Sequence, residues 1–263
     1  MPQLSLADGG HLAYRVDGKG PALMLVTGLG GLVAFWDPHV PALAEHFTLV
    51  RHDHRGSGSS SLDPIDFSVE QMAADVIALM DHLGIARARL VGHSTGGAIG
   101  QVIAIDHRER LDRLVISASW PGRDPYFDLL FQVRARVLKE LGPAEYVRQA
   151  TLIGLPPQWL RDHPQEALPP PAELVKAQIA SVECSLRRIA AIRAFDRRAD
   201  LHRITAPVLV AGAADDMVTP VHLSRELIAA IPGAAADIAD WGGHFYPVIR
   251  SGYFLAQVLA FLN

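Results

Sequence analysis

Apolar positions along this chain form two kinds of run. Ala22–Val26, Ala88–Val91, Arg113–Ile116 and Pro207–Ala211 are short and largely continuous, fit for strands covered on both faces. Leu4–Leu6 and His11–Val16 read as two further strands joined by the turn Asp8-Gly9-Gly10. Thr48–Val50 and a short segment at Asp237–Ala239 complete eight. Between them the period changes to that of a helix. Met72, Val76, Leu79, Met80 and Leu83 fall on one helical face, behind a capping box at Ser68-Val69-Glu70-Gln71 and ahead of a terminating Gly84. Ala98–His107, Pro220–Ile231 and Val248–Phe261 are helix-compatible as well. Strand and helix in alternation predict an α/β fold, a mostly parallel sheet with helices on both faces. The alternation breaks between Pro121 and Ile204, a helical region rich in arginine and proline that contains Leu168-Pro169-Pro170-Pro171. The expectation is a core made of residues 1–120 and 205–263, with residues 121–204 inserted as a cap of four short helices.

One stretch organises the chemistry. Leu90-Val91-Gly92-His93-Ser94-Thr95-Gly96-Gly97 sets Gly-x-Ser-x-Gly between a predicted strand and a predicted helix. In that context the serine sits on a sharp turn with its hydroxyl held out of the sheet, and glycines are required where chains cross closely. A serine hydroxyl is a weak nucleophile until a base, itself oriented by a third group, stands within reach. Among 12 histidines, His244 in Gly242-Gly243-His244 directly follows the last predicted strand, at the sheet edge where Ser94 also lies. His93 is expected to point to the other side of the elbow. The acid belongs after the preceding strand, where Asp215 and Asp216 are neighbours. Asp216 is preferred, at four residues before the helix-opening Pro220, with Asp124 as an outlying alternative. The backbone N–H groups of Leu29, in the glycine-rich loop Thr27-Gly28-Leu29-Gly30-Gly31, and of Thr95 are the candidate oxyanion donors.

Composition excludes more than it assigns. A net charge of −4 gives no nucleic-acid surface, and no apolar run approaches a membrane span. The single cysteine, Cys184, permits no internal disulfide, and the N-terminus carries no signal-peptide pattern, so the cytoplasm is the expected location. His52 and His54 flank Asp53 on alternate strand positions. No third ligand stands at metal spacing, so a turn braced by Asp53 and Arg55 is expected, with no metal and no cofactor. The partners expected are a small-molecule substrate and at most a second copy of the chain in a homodimer, with neither nucleic acid nor membrane.

With Thr27-Gly28-Leu29-Gly30, Asp53-His54-Arg55-Gly56-Ser57-Gly58, the Ser94 elbow, Asp216-Met217-Val218-Thr219-Pro220 and Gly243-His244, the chain resembles the α/β-hydrolase fold over its full length. Within that fold it is similar to the branch of 3-oxoadipate enol-lactonases and the aminoacrylate hydrolase of pyrimidine breakdown. The likeness to the latter extends into the cap at Phe131-Gln132-Val133-Arg134 and Leu186-Arg187-Arg188. It departs at Thr27, where many relatives carry histidine. The resemblance implies an eight-stranded sheet, a Ser94–His244–Asp216 triad and hydrolysis of an ester, lactone or activated amide or carbamate. The fold also hosts cofactor-independent oxygenases, lyases and non-enzymatic ligand-binding proteins, which remain alternatives. The cap is expected to cover Ser94. Trp120, Phe127, Phe131, Trp159, Phe195 and Phe245 are the aromatic candidates for walling a pocket, with Trp120, Phe131, Trp159 and Phe245 expected to reach it. Seven cap arginines, Arg134, Arg136, Arg148, Arg161, Arg187, Arg188 and Arg193, are candidates to clamp a substrate carboxylate.

Overall fold

The computed structural model describes residues 1–263. Eight strands, β1 (Gln3–Ser5), β2 (His11–Asp17), β3 (Ala22–Val26), β4 (Thr48–His52), β5 (Ala88–His93), β6 (Leu111–Ser117), β7 (Val208–Ala213) and β8 (Ala235–Ala239), form one sheet in the order β1-β2-β4-β3-β5-β6-β7-β8. β1 and β2 pair antiparallel, β2 joins β4 antiparallel, and all other pairings are parallel. This is the α/β-hydrolase architecture expected. Alternate residues of the central strands feed two separate cores. In β3, Met24 and Val26 join one apolar cluster while Leu23 and Leu25 join the other. Leu90 and Val91 of β5 divide in the same way. Strands buried on both sides need no polar face, which is why they read as continuous runs.

Eleven α-helices surround the sheet. α1 (Val40–Leu43) and α11 (Ser251–Leu262) cover one face through Leu43, Phe254, Val258 and Leu262. α2 (Val69–His82), α3 (Thr95–Asp106) and α9 (Val221–Ala230) cover the other through Val76, Ile99 and Leu223. Ser68 caps α2 by accepting the Gln71 N–H at 2.9 Å, and Gly84, at φ +68°, turns the chain out of it. Between β6 and β7 run α4 (Pro125–Glu140), α5 (Pro143–Gly154), α6 (Pro157–Asp162), α7 (Ala172–Gln178) and α8 (Val182–Ala194). These are five helices where the sequence suggested four. The shortest is α6, whose Pro157 stands at the first helical turn, where its missing N–H costs nothing. Two other departures lie outside this region. Val33–Leu43 is helical throughout, disguised by Pro38 and Pro41 and by a 3₁₀ geometry over Val33–His39. The expected terminal helix breaks at Arg250 into α10 (Tyr246–Ile249) and α11. There the guanidinium donates to Asp240 and Trp241 and stacks over the Trp241 and Tyr253 rings.

The loop after β4 is braced as expected. Asp53 accepts the Val33 N–H at 2.8 Å and the Ser59 N–H at 3.0 Å. Arg55 reaches both oxygens of buried Asp75 and also Asp8. His52 and His54 sit with ring centroids 5.0 Å apart, and no group of three His, Cys, Asp or Glu side chains in the protein is placed to hold a metal ion. No helix is long and apolar enough to cross a membrane.

Burial pushes His52 down to about 4, and burial first, then repulsion from His52 and Arg188 at His54 and from neighbouring histidines at His93, pushes both well below the ordinary histidine value. The folded protein therefore resists protons that the unfolded chain accepts near 6.5. Stability is expected to fall as pH drops from about 6.5 toward 4. Urea titrations at steps across that interval check this, and His52→Phe is expected to flatten part of the slope.

Candidate active site

The three candidate triad side chains stand beyond the C-terminal ends of parallel strands: Ser94 at the end of β5, Asp216 after β7 and His244 after β8. Ser94 is the N-cap of α3 and adopts φ +55°, ψ −116°. A non-glycine residue there stores about 1–3 kcal/mol of strain, so its surroundings must over-determine it. They do. The Ser94 N–H donates to Ser117 O at 2.8 Å, and its carbonyl accepts from the Gly97 N–H and the Ser119 hydroxyl. Two glycines make the crossing possible. A Cβ on Gly96 would strike the Val26 carbonyl, and one on Gly92 would strike the backbone of Gly96.

His244 Nδ1 lies 2.8 Å from Asp216 Oδ2. The same oxygen accepts the Thr219 hydroxyl at 2.8 Å, while Oδ1 accepts the N–H groups of Val218 (2.7 Å) and Thr219 (2.9 Å). Asp216 thus has hydrogen-bond partners on both oxygens though only 5% exposed. Its neighbour Asp215 faces away from the imidazole and accepts the Gly243 N–H at 2.8 Å, anchoring the loop that carries His244. Asp124 is committed elsewhere: it caps α4 by accepting the Phe127 N–H, and it meets His222. The base loop is also pressed against the cap. The Phe245 N–H donates to Gly154 O at 3.2 Å, and side chains on either Gly243 or Gly154 would collide across this seam.

His93 departs from expectation. Its ring faces the site side of the elbow, stacked on Phe35 at 4.8 Å and packed against His244 at 4.9 Å. Its Nδ1 lies 3.2 Å from Ser117 Oγ, which in turn meets the Tyr246 hydroxyl at 3.0 Å. Burial and the adjacent His244 hold His93 well below the usual histidine range, so it stays neutral. The reason is packing: Phe35, from the helical stretch the sequence pattern hid, supplies the apolar surface that draws the ring over.

Ser94 and His244 open into one cavity of about 370 Å³, within the range of small-molecule sites. Leu29 and the glycine loop form one wall. No turn, loop or cap hydrogen bond uses the N–H of Leu29 or of Thr95, and the latter sits at the positive end of α3. Of the aromatic candidates, Phe131 and Phe245 line the cavity. Trp120 does not: it is 1% exposed and stacks on Phe127 at 4.5 Å, with Phe195 beside it, inside the main core. Trp159 does not either; it lies on the outside of the cap, stacked on His163 at 4.0 Å. Of the seven arginines only Arg134 and Arg188 reach the cavity. Arg136, Arg148, Arg161 and Arg187 pair with acids on the cap surface, and Arg193 pairs with Asp128.

Sequence reading missed Thr219, whose hydroxyl fixes Asp216; the signal was a threonine three residues after the acid, a spacing typical of hydrogen-bonded turns. It also missed Tyr146 and Ile179 on the cavity wall, which carry no signal beyond helix periodicity.

The α/β hydrolase fold family model matches residues 21–247. The chain belongs to the α/β-hydrolase family. A Caulobacter sp. protein that carries the name carbamate hydrolase RutD is 38% identical over 267 residues, covering 99% of this chain and 98% of that one. A protein of the same name from Azorhizobium caulinodans is 35% identical, with 97% of each chain covered. Among solved structures, the enol-lactonase from Burkholderia xenovorans superposes with a TM-score of 0.88 at 29% identity over 99% of both chains. A hydrolase from Pseudomonas aeruginosa does so with a TM-score of 0.88 at 30% identity, covering 100% of this chain and 98% of that one. The protein is an enzyme of this hydrolase family.

Asp216→Asn is expected to leave the fold intact and to lower kcat by about 10²–10⁴-fold through the histidine tautomer. Asp215→Asn keeps an oxygen for the Gly243 N–H and is expected to cost about tenfold or less. Steady-state kinetics beside thermal melts of both variants separate the two aspartates.

Proposed function

We propose that the protein is a serine hydrolase that cleaves an ester, lactone or activated amide or carbamate of a small metabolite through an acyl-enzyme on Ser94. The observation that carries this reading is the strained Ser94 elbow sharing one cavity with a histidine held by Asp216. In the proposed reaction His244 takes the Ser94 hydroxyl proton as the oxygen bonds to the substrate carbonyl carbon. The carbonyl electron pair moves onto oxygen, where the N–H groups of Leu29 and Thr95 receive it. Collapse breaks the bond to the leaving group, which departs with the proton from His244. Water, deprotonated by His244, then cleaves the acyl–Ser94 bond and regenerates the hydroxyl.

The cavity wall favours an anionic substrate. Two guanidinium groups line it, those of Arg134 and Arg188, and no Asp or Glu does. Arg134 is 5% exposed, lies over the Tyr146 ring at 4.2 Å, and has no hydrogen-bond partner for its Nη1. A buried guanidinium with an idle donor suits a carboxylate. The names of the relatives, a carbamate hydrolase and an enol-lactonase, support the carbamate and lactone classes.

Ser94→Ala is expected to remove labelling by a fluorophosphonate and to lower turnover by about six orders of magnitude, as loss of the nucleophile does in subtilisin. Activity within about tenfold of wild type would discard the serine mechanism. For substrate class, kcat/KM is expected to favour anionic enol-lactones or carbamates over neutral esters. Arg134→Met is expected to erase that preference, about 10–100-fold, through KM. A preference for long neutral acyl chains would overturn it.

A further inference from the structure

Arg188 is the more deeply buried of the two cavity-lining arginines, neither of which pairs with an acid. It belongs to α8 in the cap, is 2% exposed, and forms none of the ion pairs that engage most other arginines. Burial lowers it to about 10, still charged at neutral pH. Stripping a guanidinium of water without a counter-charge is costly, which directs attention to the hydrogen bonds it makes.

Those bonds all leave the cap. Nη1 donates to Ser57 Oγ at 2.6 Å and to Arg55 O at 3.1 Å, and Nη2 makes a short bond to Leu29 O. Leu29 lines the cavity, and its N–H is the oxyanion donor in the reaction proposed above. Its carbonyl lies in the next peptide plane, joined to the plane of the N–H only through the φ and ψ of Leu29; Gly28 O, in the N–H plane, accepts from the Gly31 N–H at 3.0 Å, so the bond from Arg188 restrains the loop on the other side of the Leu29 Cα. The other ties of the loop come from the core or from the loop itself: His54 Nε2 lies 3.1 Å from Thr27 O and the His54 N–H donates to Gly31 O, while the Gly31 N–H donates to Gly28 O within the loop. Gly31, at φ +75°, leaves no room for a side chain between Ser57 and the guanidinium, with a Cβ 2.6 Å from Ser57 Oγ and 2.9 Å from Arg188 Nη1. Leu29 O is therefore the only polar group of this loop that is held from the cap.

We propose that Arg188 is a positioning residue that holds the oxyanion loop in its working shape, so that the seating of cap helix α8 sets the electrophilic half of the site. This rests on the serine-hydrolase reading for its kinetic consequence, but not for its structural one. A simple strut between cap and core would share the hydrogen bonds; it would not single out the loop or the transition state.

The test uses the full chain with Arg188→Met and Arg188→Lys, the latter retaining charge and one donor should the former fold poorly. With p-nitrophenyl acetate, which has no anionic group for Arg134 to bind, kcat is expected to fall about 100-fold in Arg188→Met with KM nearly unchanged, the size of losing one oxyanion donor. Arg188→Lys is expected to recover part of it. Hydrogen–deuterium exchange of a peptide spanning Thr27–Leu32 is expected to speed up about tenfold in Arg188→Met while α3 stays protected. Unchanged exchange in this segment overturns the proposal, as does a rise in KM alone, which would make Arg188 a substrate ligand. A lowered Tm with kcat per fluorophosphonate-titrated site unchanged also overturns it, leaving a strut. If wild type neither turns over nor labels, the hydrolase reading fails while the exchange measurement still decides whether Arg188 holds the loop.

Discussion

Everything in the site hangs on how closely two backbones pass where β5 turns into α3. Gly96 lies against the carbonyl of Val26 at the end of β3, and Gly92 lies against Gly96 itself. Only at this separation can the strand end, reverse and start a helix within one residue, and that residue, Ser94, absorbs the cost at φ +55°. The same approach brings the loop after β3 alongside the nucleophile, so that the wall carrying Leu29 and the N-terminus of α3 meet at one point. The exposure of Ser94 and the placing of Leu29 beside it are thus two results of one steric constraint.

Charge is distributed around that point with little redundancy. The acid of the site is wrapped by two backbone N–H groups, a hydroxyl and an imidazole. The histidines behind and beside the elbow are kept neutral by burial. The positive charges that remain in the cavity come from the cap, on α4 and α8. The core therefore supplies Ser94 and His244, and the inserted helices supply the two guanidinium groups of the cavity wall.

Much of this could be read from residue order because the signals were local. Ala22–Val26 was legible to the residue, since a strand covered on both faces needs only apolar continuity. Ser94 and His244 were legible because glycines flank them at positions that only a turn explains. Choosing Asp216 over Asp215 rested on the distance to Pro220, and its physical basis is visible in Thr219, whose hydroxyl and N–H close a turn around one carboxylate and not the other. What stayed illegible depends on direction rather than type. Trp120 and Phe131 are equally apolar, yet one is sealed under Phe127 while the other faces the cavity. Seven cap arginines look alike in sequence, and only helix phase separates Arg134 and Arg188 from those paired with acids at the surface. Val33–Leu43 escaped because prolines break the pattern that its 3₁₀ turns do not obey.

The seam between Gly154 and Gly243 has a consequence for ligand traffic. The loop bearing His244 is in backbone contact with the end of α5, so the roof of the cavity and the proton-transfer group rest on each other. A cap that swung away as a rigid flap would pull on the imidazole at each opening. Entry and exit are better served by rotamer changes of the few side chains at the cavity mouth, with the roof stationary. The hydrogen bond that holds His244 on Asp216 then stays undisturbed as a ligand passes.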